Sequence, residues 1–266
     1  MAALSISRAW DETKAVLKSD GKLFVPLVLA FMVLPGVLVG LARPRLGSAE
    51  DGSGTALLIM VGVSLIALVG QLAVQWLTVR PGARVADSLR QGARATPWVF
   101  LAIMLLVIPL SIVAAPFAAP LVTGADEAAQ ARAALFILLI LAVALIALVR
   151  FTTVGPAAVA ERLGPVAMLR RSWTLTKGST VKLYGLFILF LLVLLLVNWA
   201  AMASLGSVIL LAFGQPEPWS VSALLLALVA QLAQVAVTLP MAVLLARIYA
   251  QLAGVGAVET SVPHAP

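Results

Sequence analysis

The chain has 266 residues, of which 62% are hydrophobic and only 11% charged, with a net charge of +7 and a mean hydropathy of +1.11. Soluble domains carry roughly a quarter charged residues to cover their surface, so this composition excludes an ordinary soluble fold. The absence of cysteine excludes disulfides, thiol nucleophiles and thiolate metal sites.

A bilayer core takes about 20 apolar residues per helix. Six blocks meet that length, at 23–41, 55–79, 98–122, 133–159, 183–213 and 220–245. The expected fold is therefore all-α: a polytopic membrane protein of six transmembrane helices.

The first block follows the stretch SRAWDETKAVLKSDGKLF (7–24). Signal peptides begin with a short, simply basic region, whereas this one includes Asp11, Glu12 and Asp20, so the block reads as a retained helix. Gly36 and Gly40 within it form a GxxxG pattern that permits close helix contact, the feature that points to homo-oligomerisation. The short turn GSGT (52–55) leads to the second block, which closes with QLAVQWLTVRP (71–81). RVADSLRQGARATPWVF (84–100) precedes the third block, where Pro109, Pro116 and Pro120 are expected to kink or shorten the helix. IALVRFTTVGP (146–156) closes the fourth. LRRSWTLTKGSTVKLYGLF (169–187) opens the fifth, a turn QPEPW (215–219) follows, and the sixth carries QLAQVAVTLP (231–240). The sequence beyond Gly254 (255–266) reads as a disordered tail.

Three units emerge, at 5–80, 81–158 and 159–252, within one membrane domain over 1–254. Each is a basic segment followed by a helical hairpin. Arg8-Ala-Trp10 echoes Arg171-Ser-Trp173, and Leu89-Arg-Gln-Gly92 echoes Leu175-Thr-Lys-Gly178. Gln71 and Thr78 share their spacing with Gln231 and Thr238, and Arg150 stands at the place of Gln75. Internal similarity of this kind points to duplicated structure. A hairpin returns the chain to its starting side, so the copies form three tandem hairpins of one orientation.

Of the eighteen basic residues, all but Arg43, Arg45 and Arg132 fall on the side that holds both termini. Basic residues mark the cytoplasmic side, so both termini are predicted to be cytoplasmic. The basic balance thus describes topology, and nucleic acid is not an expected partner.

The three basic segments are expected to be amphipathic helices in the headgroup plane. At helical spacing, Ile6, Trp10, Thr13 and Leu17 share one face, as do Val85, Ala86, Leu89 and Ala93, and Val166, Leu169, Trp173 and Thr176. An apolar face with tryptophan opposite a basic face suits the interface, and each Lys or Arg near an anionic leaflet adds about 1 kcal/mol. Candidate headgroup residues are Trp10, Arg84, Arg90, Arg170, Arg171, Trp173 and Lys177. Gly92 and Gly178 stand where a helix is expected to stop.

Catalytic signals are sparse. The only histidine, His264, is in the tail, and no HExxH, Walker loop or GxSxG elbow is present. Ser64 reads as packing. No set of ligands for a metal or cofactor can be assembled, and none is expected. Polar residues inside the spans are Gln71, Gln75, Asn198, Gln231, Gln234 and Thr238, with Arg150 and Arg247 near the ends. Interhelical hydrogen bonds account for the uncharged ones, and both arginines can snorkel. The sharper alternative is a polar cavity lined by Gln71, Gln75, Arg150, Asn198, Gln231 and Gln234, as a transporter would need.

At Arg171, Ser172, Trp173, Leu175, Thr176, Lys177 and Gly178, supported by Val85-Ala-Asp-Ser-Leu-Arg-Gln-Gly92, the chain resembles the six-span membrane domain that precedes a glycerophosphodiester phosphodiesterase in some bacteria, and its stand-alone relatives. The resemblance implies a bacterial cytoplasmic (inner) membrane protein. It carries no catalytic residues here, because the phosphodiesterase domain of those fusions is absent. The expected function is a non-enzymatic membrane module, acting as a scaffold or binding a protein partner or anionic lipids. The alternative is a transporter of small solutes or lipid-related molecules.

Overall fold

The structure, a computed structural model, describes residues 4–46, 53–123, 126–161, 163–217 and 219–254. The tail, with His264, lies outside them. Among the described residues ten α-helices follow in order: α1 (Ile6–Val28), α2 (Leu34–Leu46), α3 (Ser53–Val79), α4 (Val85–Thr123), α5 (Glu127–Arg150), α6 (Val154–Glu161), α7 (Pro165–Thr176), α8 (Thr180–Ala201), α9 (Ser207–Phe213) and α10 (Val221–Ala253). Short π-helical turns, Leu29–Val33 and Met202–Gly206, join α1 to α2 and α8 to α9. Six helical stretches are long and apolar enough to cross a membrane: Ile6–Leu41, Leu58–Val79, Val85–Leu121, Glu127–Glu161, Thr180–Phe213 and Val221–Ala253. The protein is an all-α, multi-pass membrane protein, with no strand among the described residues.

Two of the three basic segments are not separate helices. The first continues through α1 into the first span, and the second is the start of α4, which runs unbroken for 39 residues. At 1.5 Å per residue α4 is about 58 Å long, nearly twice the roughly 30 Å hydrocarbon core. Its surplus turns therefore project beyond the core as the basic segment. Only the third segment forms its own helix, α7. Gly178, at φ +92°, occupies the left-handed region just beyond it, where a side chain would be strained.

Gly92 does not stop α4. A Cβ there would lie 2.8 Å from the Val69 carbonyl oxygen of α3, so this glycine exists to bring two helices together. The prolines do not shorten α4 either, which contains Pro97, Pro109, Pro116 and Pro120. In a spanning helix neighbouring groups re-satisfy the backbone that proline frees. The GxxxG pair is consumed within the chain: Gly36 faces the Gln231 side chain and Gly40 faces Ala227 of α10, whose Cβ is 2.9 Å from where a glycine Cβ would sit. Ser53 and Thr55, read as turn residues, belong to the first turn of α3.

The fourth block breaks where the sequence looked continuous. α5 ends at Arg150 and α6 begins at Val154. A ring at Pro156 in a continuing helix would clash with the carbonyl of residue 152, so the chain turns over Phe151–Thr153 instead. α6 then packs on α3, α4 and α7. Within the bundle α3 pairs most extensively with α4, across two units, while α10 packs on α1, α2, α3 and α8.

Packing is concentrated at the basic end. Phe24, Leu72, Val74, Val149, Val159, Met168, Leu244, Ile248 and Tyr249 are almost wholly buried there. By contrast, only 6% of the most apolar stretch of the fourth and fifth spans is buried within the chain, against 33% of the first. Those two spans turn their leucines outward, as lipid-facing helices do.

Candidate membrane-interface site

The buried faces of the basic segments overlap the apolar arcs read from the sequence only at Thr13 and Thr176. Ala9, Thr13 and Val16 face inward on α1, Ser88, Gln91, Ala95 and Thr96 on α4, and Met168, Ser172 and Thr176 on α7. Small hydroxyl residues suit such faces because their polar group bonds the helix itself. Thr13 Oγ1 donates to the Ala9 carbonyl at 2.7 Å, and Thr176 Oγ1 to the Ser172 carbonyl at 2.8 Å. Trp10, Trp98 and Trp173 point outward, 40%, 51% and 46% exposed. Each helix therefore has an inner small-residue face and an outer face mixing tryptophan with cations. Trp10 meets Phe190 of α8 edge-on, ring centroids 6.3 Å apart.

At α7 the inner face makes a hydrogen-bond chain. Ser172 Oγ donates to the Arg150 carbonyl at 2.8 Å, one of the last carbonyls of α5, which have no partner within their helix. Thr153 Oγ1 lies 2.8 Å from Ser172 Oγ and supplies the proton of that bond. Beside it, Arg171 Nε donates to both carboxylate oxygens of Glu161, at 2.9 and 3.1 Å. The Tyr249 hydroxyl donates to Glu161 Oε1 at 2.6 Å. One carboxylate thus ties α6, α7 and α10 together. Gln91 Nε2 adds a bond from α4 to the Val159 carbonyl of α6 at 3.3 Å.

The candidate headgroup residues divide. Arg84, Arg90, Arg170 and Lys177 are exposed and have no ion pair among the described residues. Arg171 is different: its guanidinium is committed to Glu161.

Among the described residues, no hydrogen bond joins one candidate cavity residue to another. Gln75 of α3 is buried against Gly155 of α6, Gln231 packs on Gly36 of α2, and Asn198 Nδ2 donates to Leu194 O of its own helix at 3.0 Å. Gln71 and Gln234 are half-buried on α3 and α10. The Arg150 guanidinium lies 4.6 Å from the centre of the Trp173 ring. Ser64 is not packed: it is exposed, and its hydroxyl donates to the Met60 carbonyl at 2.7 Å.

Sequence reasoning missed two groups, Thr153 with Ser172 and Glu161 with Tyr249. One signal was available: Thr78, Thr153 and Thr238 occupy the same position in the three hairpin endings.

The family model described as a domain of unknown function, DUF7847, matches residues 4–252. The chain belongs to that family. No curated protein and no solved structure matches it.

Proposed function

Starting from a family whose description names no activity, we propose that the chain is a non-enzymatic multi-pass module of the bacterial cytoplasmic membrane, with both termini cytoplasmic, whose basic end engages anionic lipid headgroups. The observation that carries this reading is the outer face of that end. Arg84, Arg90, Arg170 and Lys177 are exposed, with no ion pair among the described residues, on the same segments or end as outward-facing Trp10, Trp98 and Trp173. Tryptophan favours the headgroup level, and each cation near an anionic surface contributes about 1 kcal/mol.

The carboxylate best placed for chemistry, Glu161, is held by Arg171 and Tyr249, which suits a strut rather than a general base. The bacterial setting is supported by the resemblance to the membrane domain of phosphodiesterase fusions. Binding of a protein partner through the outward leucines of the fourth and fifth spans is compatible with the same reading.

The test is the lipid composition around the full-length chain extracted in polymer nanodiscs. Phosphatidylglycerol should be enriched severalfold over bulk membrane, and a variant with Arg84, Arg90, Arg170 and Lys177 changed to Gln should lose most of that enrichment. A bulk-like composition around the wild type would refute the reading.

One observation favours transport as a second reading. Gln75 Oε1 and Thr238 Oγ1 are buried without a hydrogen-bond partner, on helices that pack together. Solute flux in proteoliposomes that is abolished by Gln75→Leu would establish it.

A further inference from the structure

We infer that Arg150, Arg170 and Lys177, arranged around Trp173, form one discrete site for a phosphate-bearing anion. The inference deepens the lipid-facing reading of the basic end and rests on it.

Arg150 is unlike the surface cations. It is half-buried, its guanidinium lies over the Trp173 ring, and its terminal nitrogen NH1 is buried with no partner. A guanidinium stays charged at any physiological pH and carries five donors. Leaving such a donor unpaired costs more than a neutral group would. Within α5–α7 the carboxylate nearest in sequence, Glu161, has both oxygens bonded to Arg171 and its Oε1 also to Tyr249. No carboxylate among the described residues pairs with Arg150, so its charge stands uncompensated beside the Trp173 ring.

The helix beside it supplies the rest of the charge. Arg170, three residues before Trp173, shares its face of α7, and Lys177 caps the C-terminal end of that helix; both are exposed and without an ion pair among the described residues. The backbone under the site is fixed. Ser172 bonds the Arg150 carbonyl, and Phe151 packs against Trp173 with centroids 5.8 Å apart. Three cations around a half-exposed indole match a tetrahedral anion on a hydrophobic stem. Arginine takes phosphate through paired N–H groups, while the ring sits at the acyl boundary. The phosphate could come from the phosphodiester of an anionic lipid or from a soluble phosphate ester.

Native mass spectrometry of the full-length chain distinguishes these sources. Detergent-solubilised protein is offered phosphatidylglycerol in one arm and glycerol phosphate in the other. The expected result is a single retained anion, at least tenfold weaker in Arg150→Gln and unchanged in Lys18→Gln, an exposed cation on α1. Retention of the lipid alone assigns the site to headgroups, and retention of glycerol phosphate assigns it to soluble esters. If Arg150→Gln is not monodisperse, the double variant Arg170→Gln with Lys177→Gln, both exposed, takes its place. Wild-type protein that retains neither anion, or variants that retain it like wild type, would overturn the site. Lipid enrichment in nanodiscs that persists alongside such a result would leave the broader reading intact.

Discussion

The hydroxyl of Tyr249 lies 2.6 Å from Oε1 of Glu161, 88 residues earlier in the chain, and closes the last spanning helix onto the short helix that follows the fourth. Arg171 holds the same carboxylate from α7. Three elements thus converge on one acidic side chain at the packed end of the bundle.

Removing the phenol tests that joint. Tyr249→Phe should lower stability by about 1.5–3 kcal/mol, the range for hydrogen bonds to charged groups, read as a lower apparent melting temperature in detergent. Glu161→Gln should cost at least as much, because it also strips Arg171 of its partner. The double variant should lose less than the sum, since the two residues share one interaction.

Glycines give opposite signs at two positions. Gly92→Ala would push a Cβ to 2.8 Å from the Val69 carbonyl, a backbone atom that cannot step aside. The expected cost is about 1–3 kcal/mol, as for overpacking. Gly21, inside α1, has nothing within 4 Å of its would-be Cβ. Gly21→Ala should instead stabilise by roughly 0.5–1 kcal/mol through helix propensity. The same thermal assay reads both.

Hydroxyls on α7 separate in the same way. Ser172→Ala deletes the bond to the Arg150 carbonyl and leaves Thr153 without its acceptor. A loss of about 1 kcal/mol or more is expected. Thr174 is exposed and bonds only the Arg171 carbonyl of its own helix, so Thr174→Ala should stay within about 0.5 kcal/mol.

The spans were legible in the sequence because runs of about 20 apolar residues have few other uses. The basic segments were legible as charge but not as shape. Nothing local says that residues 7–24 continue straight into a span while 165–176 form a separate helix. That difference lies in Gly178 and the chain direction it imposes. The arcs caught Thr13 and Thr176 but left out Ser88 and Thr96, which score as polar yet bury well once bonded to their own helix. Glu161 and Tyr249 could not be paired from sequence. Neither sits in a motif, and only the break at Phe151–Thr153 turns α6 toward α10.

The central claim is that the packed, cationic end of the bundle faces the anionic inner leaflet. A chain without cysteine allows direct labelling. Thr174 on α7 and Glu217 in the connection before α10 are both exposed, at opposite ends of the bundle. Thr174 is preferable to Gly178, whose φ of +92° would strain a cysteine. A membrane-impermeant maleimide added to intact cells should label Glu217→Cys and spare Thr174→Cys until the membrane is opened. Labelling of Thr174→Cys from outside would contradict the account.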